Sequence, residues 1–242
     1  MATRPVFVPT TSGDVLVETK IVEFPWVAGL SASQKAKRVE ALHASAARAL
    51  GKTNILEVST KSSLPLGVSL SAFNLMIETR KLKQLFSVES AYQSSKIFRN
   101  GGPFLDLLQA DSHTAKADPR LRLSGELIGF RFFGVEWGIE PITAFYDWLY
   151  ISALSKHKQL TAMLEVYSAF TDIEFNPARS VNCQAYSVAV YCALNSRRLL
   201  GEALASKESF LKIVYQREIN NSRQNQGSQP ELQFSEIRDI AE

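Results

Sequence analysis

At 242 residues, with 45% apolar and 21% charged content, the chain is long enough to bury a sizeable core and too apolar to be disordered throughout. A net charge of +3 suits a polyanionic partner but falls far short of the basic stripe that marks a nucleic-acid binder by charge alone. Two cysteines, Cys183 and Cys192, and three scattered histidines argue against a disulfide framework and against a zinc site at ligand spacing.

In chain order, residues 5–24 alternate valine and phenylalanine with polar residues around Ser12-Gly13-Asp14, which predicts a β-hairpin. From Ser33 to Leu50 the chain is rich in helix formers and meets Gly51, a C-terminal stop. Lys35, Lys37, Arg38 and Arg48 on this helix form either a phosphate-facing or a solvated face. Residues 54–77 read as two short extended runs separated by a polar turn, Ser59 to Gly67. Helices are predicted over 88–99, 103–109, 112–118, 141–155, 157–169, 180–196 and 207–217, with a strand-like ELIGFRFFGVEW at 126–137. The fold class expected is α+β and mainly α-helical, with a few short strands. Residues 1–53 are read as a hairpin and helix appended to a domain over 54–217, and 218–242 as a polar mobile tail. No apolar run approaches the roughly 20 residues of a membrane helix, and MATRPVFVPTTSG lacks the apolar core of a signal peptide, so a cytoplasmic protein with no membrane partner is expected.

The stretch VESAYQSSKIFRNGGP, residues 88–103, carries the first chemistry. On a helix Glu89 and Lys96 would project within about 20° of each other, with Gln93 one turn from either. Spacing alone admits a solvated face or a catalytic wall; Ser90, Ser94 and Ser95 are small enough for close approach of a ligand, and Tyr92 can stack. Asn100-Gly101-Gly102 followed by Pro103 reads as one helix ending and another starting, with Gly101 and Gly102 near N–H groups that can accept phosphate. Lys116, Arg120 and Arg122 suit either a diphosphate clamp or a solvated helix end.

Further on, the dense aromatics Phe145, Tyr146, Trp148 and Tyr150 read as core, whereas Trp137, beside Glu136 and Gly138, is a candidate for stacking on a base. In FTDIEFNP, Asp172 and Glu174 alternate with Ile173 and Phe175, so an extended backbone would point both carboxylates to one face. Asn182 and Gln184 open a helix apolar nearly all round and must be satisfied internally or face a ligand. No Ser-His-Asp set, nucleophile elbow, phosphate loop or dinucleotide fingerprint is visible. What remains is a carboxylate-rich site with no metal and no cofactor.

The ordered blocks LSAFNL (70–75), VESAYQSSKIF (88–98), AK (115–116), FYDWLYISAL (145–154), FTDIEFNP (170–177) and NCQA (182–185) resemble the NADAR family. More narrowly, ILEVSTKSSLPLG, GGPFLDLL and TDIEFNP resemble NADAR antitoxins encoded beside DarT-type DNA ADP-ribosyltransferase toxins. Broader NADAR proteins carry a WG pair after the late Asp, which Asp172 lacks. The resemblance implies a glycohydrolase that removes ADP-ribose from the guanine amino group in DNA. ADP-ribosylated DNA would be its substrate, ADP-ribose its product, and the cognate toxin a further partner. It implies Glu89 and Asp172 as functional acids, Lys96 as the lysine of the VESAYQSSKIF block, and Asn74 and Lys116 as ligand contacts. Two acids and a lysine suit such chemistry: a carboxylate stabilises developing charge at the ribosyl carbon, and Lys96 either protonates the leaving nitrogen or attacks as an amine. The alternatives are a non-catalytic reader of ADP-ribosylated nucleic acid, an N-glycosidase on a small riboflavin-pathway intermediate and, without the resemblance, a helical interaction module.

Overall fold

The computed structural model describes residues 1–29, 31–79, 82–178 and 180–215. It is an α+β fold, mainly helical, in which three small sheets brace a set of short helices.

The predicted hairpin forms as β1 (Ala2–Pro9) and β2 (Val17–Phe24), paired from Ala2↔Phe24 to Pro9↔Val17. Arg197 clasps its loop, donating to the carbonyls of Thr10, Ser12, Gly13 and Val15. Helix α1 (Ala32–Leu50) starts at a capping box, Ser31 Oγ accepting from Gln34 N while Gln34 Oε1 accepts from Ser31 N, and stops at Gly51. Its apolar stripe, Val39, Leu42 and Ala46, packs on Val6, Val22 and Phe24 of the hairpin and on Ile55, Ala169 and Ile173.

β1 lies inside a four-stranded sheet of order β2-β1-β9-β3. There β9 (Ala169–Thr171) runs antiparallel to β1 and parallel to β3 (Ile55–Glu57). This sheet and its second core cluster unite residues from before and after position 53. The larger core lies around α6 (Ala144–Leu154) and α8 (Gln184–Ser196), which pack together and bury Phe145, Tyr150 and Tyr186. Between the strands come α2 (Pro65–Ser69), α3 (Val88–Ser94), α4 (Ser112–Ala117), α5 (Arg120–Leu123) and α7 (Lys158–Met163). The short helices α9 (Leu200–Ala203) and α10 (Lys207–Val214) follow α8. β4 (Met76–Glu78) pairs with β5 (Leu85–Ser87), and β6 (Lys96–Phe98) with β7 (Leu127–Phe132) and β8 (Val135–Trp137).

Four expectations are corrected. The helix predicted over 88–99 ends at Ser94, and Lys96 to Phe98 are strand β6. Ser94 Oγ and Ser95 Oγ both donate to Ala91 O, at 2.9 and 2.6 Å, capturing the carbonyl of the last turn, and Arg131 N takes the Ser95 carbonyl at 2.7 Å. The polar turn 59–67 already contains the start of α2, with Pro65 at its first position. Residues 103–109 form a 3-10 turn over Leu105–Gln109, and 157–169 break into α7, a 3-10 turn and then β9. The polar tail predicted over 218–242 lies outside the described residues.

Candidate functional site

Glu89 sits in the first turn of α3, only 6% exposed. Its backbone N–H donates to Ala72 O at 2.9 Å, and its carboxylate accepts from Gln93 Nε2 at 2.8 Å, the pair one helical turn apart that the sequence predicts. From α4, Lys116 brings its ammonium to 3.7 Å from Glu89 Oε1 and lies 5.0 Å from the Phe73 ring centroid. The lysine is largely exposed while its partner is buried, so Lys116 stands on the rim above the acid.

Lys96 reaches the same place from a strand rather than a helix. Its Nζ lies 4.9 Å from the Tyr92 ring centroid. Burial pulls its pKa down to about 8, with Glu89 opposing the shift and Lys116 assisting it. Behind it, Gly102 adopts φ +86°, and a Cβ there would stand 2.2 Å from the Lys96 carbonyl oxygen, so the turn needs glycine to let the backbones approach. Gly101 bridges back to Phe98, so these glycines close a turn after a strand instead of capping a helix. Tyr92 accepts from Asn182 Nδ2 at 2.7 Å, and burial raises its phenol pKa.

Asp172 follows directly on β9 and is 7% exposed. Its Oδ1 accepts from Glu174 N at 3.0 Å and Phe175 N at 3.2 Å, and its Oδ2 from Gln184 Nε2 at 3.1 Å. Burial nonetheless raises its pKa to about 7, against the pull of those donors. The chain turns at Asp172 in an Asx turn instead of running on extended. Glu174 therefore leaves the face of Asp172 and pairs with Lys61 at 4.0 Å, correcting the reading of two carboxylates side by side.

Gln184 bridges the halves of the site: its Oε1 accepts from Ala72 N at 2.8 Å, while its amide N–H reaches Asp172. A cavity of about 430 Å³ opens beside α3, lined by Phe73, Asn74, Ser87, Ser90, Ser112 and His113 among others. Asn74 lies on its wall, with Nδ2 donating to Val68 O at 2.9 Å. The serines on this wall are tied within the fold: Ser90 Oγ donates to Ala110 O at 2.9 Å, and Ser112 Oγ donates to Ser87 Oγ at 2.7 Å.

The structure thus brings Gln93 and Lys116 to Glu89, and Lys96 and Asn182 to Tyr92 on the same helix, and links Asp172 to Glu89 through Gln184 and Ala72. It does not gather Trp137, which is 4% exposed and packed among Phe145, Trp148 and Phe210 in the core, where no base can stack on it. Arg120 is also withdrawn from any diphosphate clamp, being tied to Asp106 at 2.5 Å and Asp118 at 2.9 Å. Among the described residues, Gln93 Oε1 and Asn182 Oδ1 are buried with no hydrogen-bond partner, as acceptors kept for a ligand would be. Sequence reading missed Glu57, whose buried carboxylate contacts both neighbours of Asp172. Its only local signal is an acid inside the strand-forming ILEV. No group of three His, Cys, Asp or Glu among the described residues is arranged to hold a metal ion. None of their helices is long and apolar enough to cross a membrane.

Residues 2–224 match a protein-family model described as DarT1-associated NADAR antitoxin. A search of the curated proteins finds no match.

Proposed function

The chain belongs to the family of DarT1-associated NADAR antitoxins, and from that premise we propose that it hydrolyses the N-glycosidic bond joining ADP-ribose to the guanine amino group in DNA, undoing the toxin's modification. The observation that carries the reading is a buried carboxylate, Glu89, with Lys116 at 3.7 Å and Gln93 at 2.8 Å, beside the depressed amine of Lys96. Breaking the bond from ribosyl C1 to nitrogen builds positive charge on the sugar, and a carboxylate shielded from water stabilises that charge far more than one in bulk solvent.

Water supplies the balance of the reaction: its hydroxyl ends on C1, and its proton compensates the one delivered to the departing guanine amine. Glu89 faces the developing cation. Lys96, with its pKa near 8, is poised either to give a proton to the leaving nitrogen as an ammonium or, as a free amine, to displace that nitrogen and hold ring-opened C1 as a Schiff base that water then hydrolyses. Lys116, on the rim, suits a phosphate of the ADP moiety as a point charge. The orphaned carbonyls of Gln93 and Asn182 await hydrogen-bond donors, which the guanine N–H groups and the ribose hydroxyls both provide.

Chromatography of free ADP-ribose released from an ADP-ribosylated guanine oligonucleotide tests the proposal. The wild-type protein should release it, and Glu89→Ala should do so slower by roughly 10² or more while unfolding at a similar temperature. Wild-type binding of the oligonucleotide without release would make the protein a reader, and activity on a small N-glycoside without DNA would move the substrate to the riboflavin-pathway class.

A further inference from the structure

Glu57, the last residue of β3, takes no part in the chemistry above, yet it is 2% exposed and its carboxylate accepts from Ser59 Oγ at 2.6 Å, Thr171 Oγ1 at 2.7 Å and Ile173 N at 2.9 Å. Thr171 and Ile173 are the two neighbours of Asp172. One buried acid therefore grips the chain on both sides of another, and Arg4 Nε adds a bond to the Ile173 carbonyl at 3.0 Å.

The two carboxylates differ in the kind of donor they face. Among the described residues, all three partners of the Asp172 carboxylate are N–H groups, which can only donate, so a proton placed on Asp172 would have to displace one of them. Two of the three partners of Glu57 are hydroxyls, which accept as readily as they donate. A protonated Glu57 can donate to Thr171 Oγ1, whose own hydrogen then turns to His43 Nε2, 2.8 Å away. We propose that Glu57 is a positioning residue that carries the proton of this acid pair, so that Asp172 meets the site as the anion.

The electrostatics run the same way. Burial lifts both acids, and the charge of Asp172 raises Glu57 further. Burial also lowers His43 to about 4, keeping its ring neutral and able to offer a lone pair. Other charged groups around the pair are Arg4 from β1, which feels Asp172 and Arg38 of α1, and Glu174, which pairs with Lys61. The inference rests on the glycohydrolase reading only for the use made of the Asp172 charge.

Carboxyl carbon-13 NMR of the full chain, titrated over about pH 5 to 9 and assigned with Asp172→Asn and Glu57→Gln, tests it. Asp172 should ionise at lower pH than Glu57, and its midpoint should stay put in Glu57→Gln, whose neutral amide mimics the protonated acid. Glu57 ionising first, or a midpoint of Asp172 that falls in Glu57→Gln, would overturn the assignment. In the release assay Glu57→Leu should lose on the order of 10² in kcat with KM little changed, and Glu57→Gln should recover part of that loss. If the NMR order is as expected but the wild-type protein releases no ADP-ribose, the proton placement stands and the glycohydrolase reading falls.

Discussion

Glu89 and Asp172, 83 positions apart in the chain, are joined through the backbone of one residue, Ala72: Glu89 N–H donates to the Ala72 carbonyl at 2.9 Å, and Ala72 N–H donates at 2.8 Å to Gln184 Oε1, whose Nε2 donates to Asp172 at 3.1 Å. The two acids cannot move independently while Gln184 holds this bridge. It is the element of the site that couples α3 to the turn after β9.

Replacing Gln184 by leucine should leave Ala72 N–H and one oxygen of Asp172 without partners, costing about 1–3 kcal/mol in urea unfolding. Turnover should fall with kcat rather than KM, because the acids lose their shared register. A variant of wild-type stability and kcat would show that the bridge is dispensable.

Lys96 gives the site its pH dependence. With the amine lowered to about 8, the free base needed for attack on carbon appears around pH 8 rather than near the ordinary lysine value of about 10.5. If the amine attacks, borohydride should trap a protein adduct whose yield climbs through pH 8 and which is absent from Lys96→Arg. A wild-type protein that gives no adduct at any pH uses Lys96 as a proton donor, and its rate should then decline as pH rises through the same value.

Gly102→Ala places a methyl group 2.2 Å from the Lys96 carbonyl oxygen at φ +86°. The strand carrying Lys96 must shift, so both stability, by about 1–3 kcal/mol, and turnover should fall. Gly134→Ala, at φ +82° with nothing within 4 Å of the new methyl, should show the backbone penalty without the loss of turnover. Equal turnover in the two variants would detach Gly102 from the site.

Arg197 holds the hairpin loop through the carbonyls of Thr10, Ser12, Gly13 and Val15, far in sequence from its own helix end. Arg197→Met should cost about 2 kcal/mol or more, since bonds from a charged donor are worth more than neutral ones, and should lower the melting temperature by several degrees. A scanning calorimetry trace coincident with wild type would count against the clasp.

The hairpin, the first long helix and one side-chain pair are legible locally. The hairpin follows from alternating residues about Ser12-Gly13-Asp14, and α1 from helix formers that stop at Gly51. The contact of Glu89 with Gln93 also needed no tertiary information, because one helical turn separates them. Lys96 does not reach Glu89 along a shared helix: its position on β6 depends on pairing with Phe130, 34 residues later, and no local propensity reports that strand. Trp137 sits at a strand end beside glycine, a place usually exposed, and only the aromatic cluster from α6 and α10 encloses it.

The sequence by itself determined the family blocks, the mainly helical α+β class and the identities of the acids, amides and lysines, since these follow from residue type and short-range spacing. Tertiary structure alone decided which of them meet. It turned Glu174 away from Asp172, tied Arg120 to Asp106 and Asp118, and set Glu57 behind Asp172 by laying β3 parallel to β9. The physical reason is that burial and hydrogen-bond partners, which set protonation and charge, come from strands and helices distant in sequence, and no window along the chain contains them.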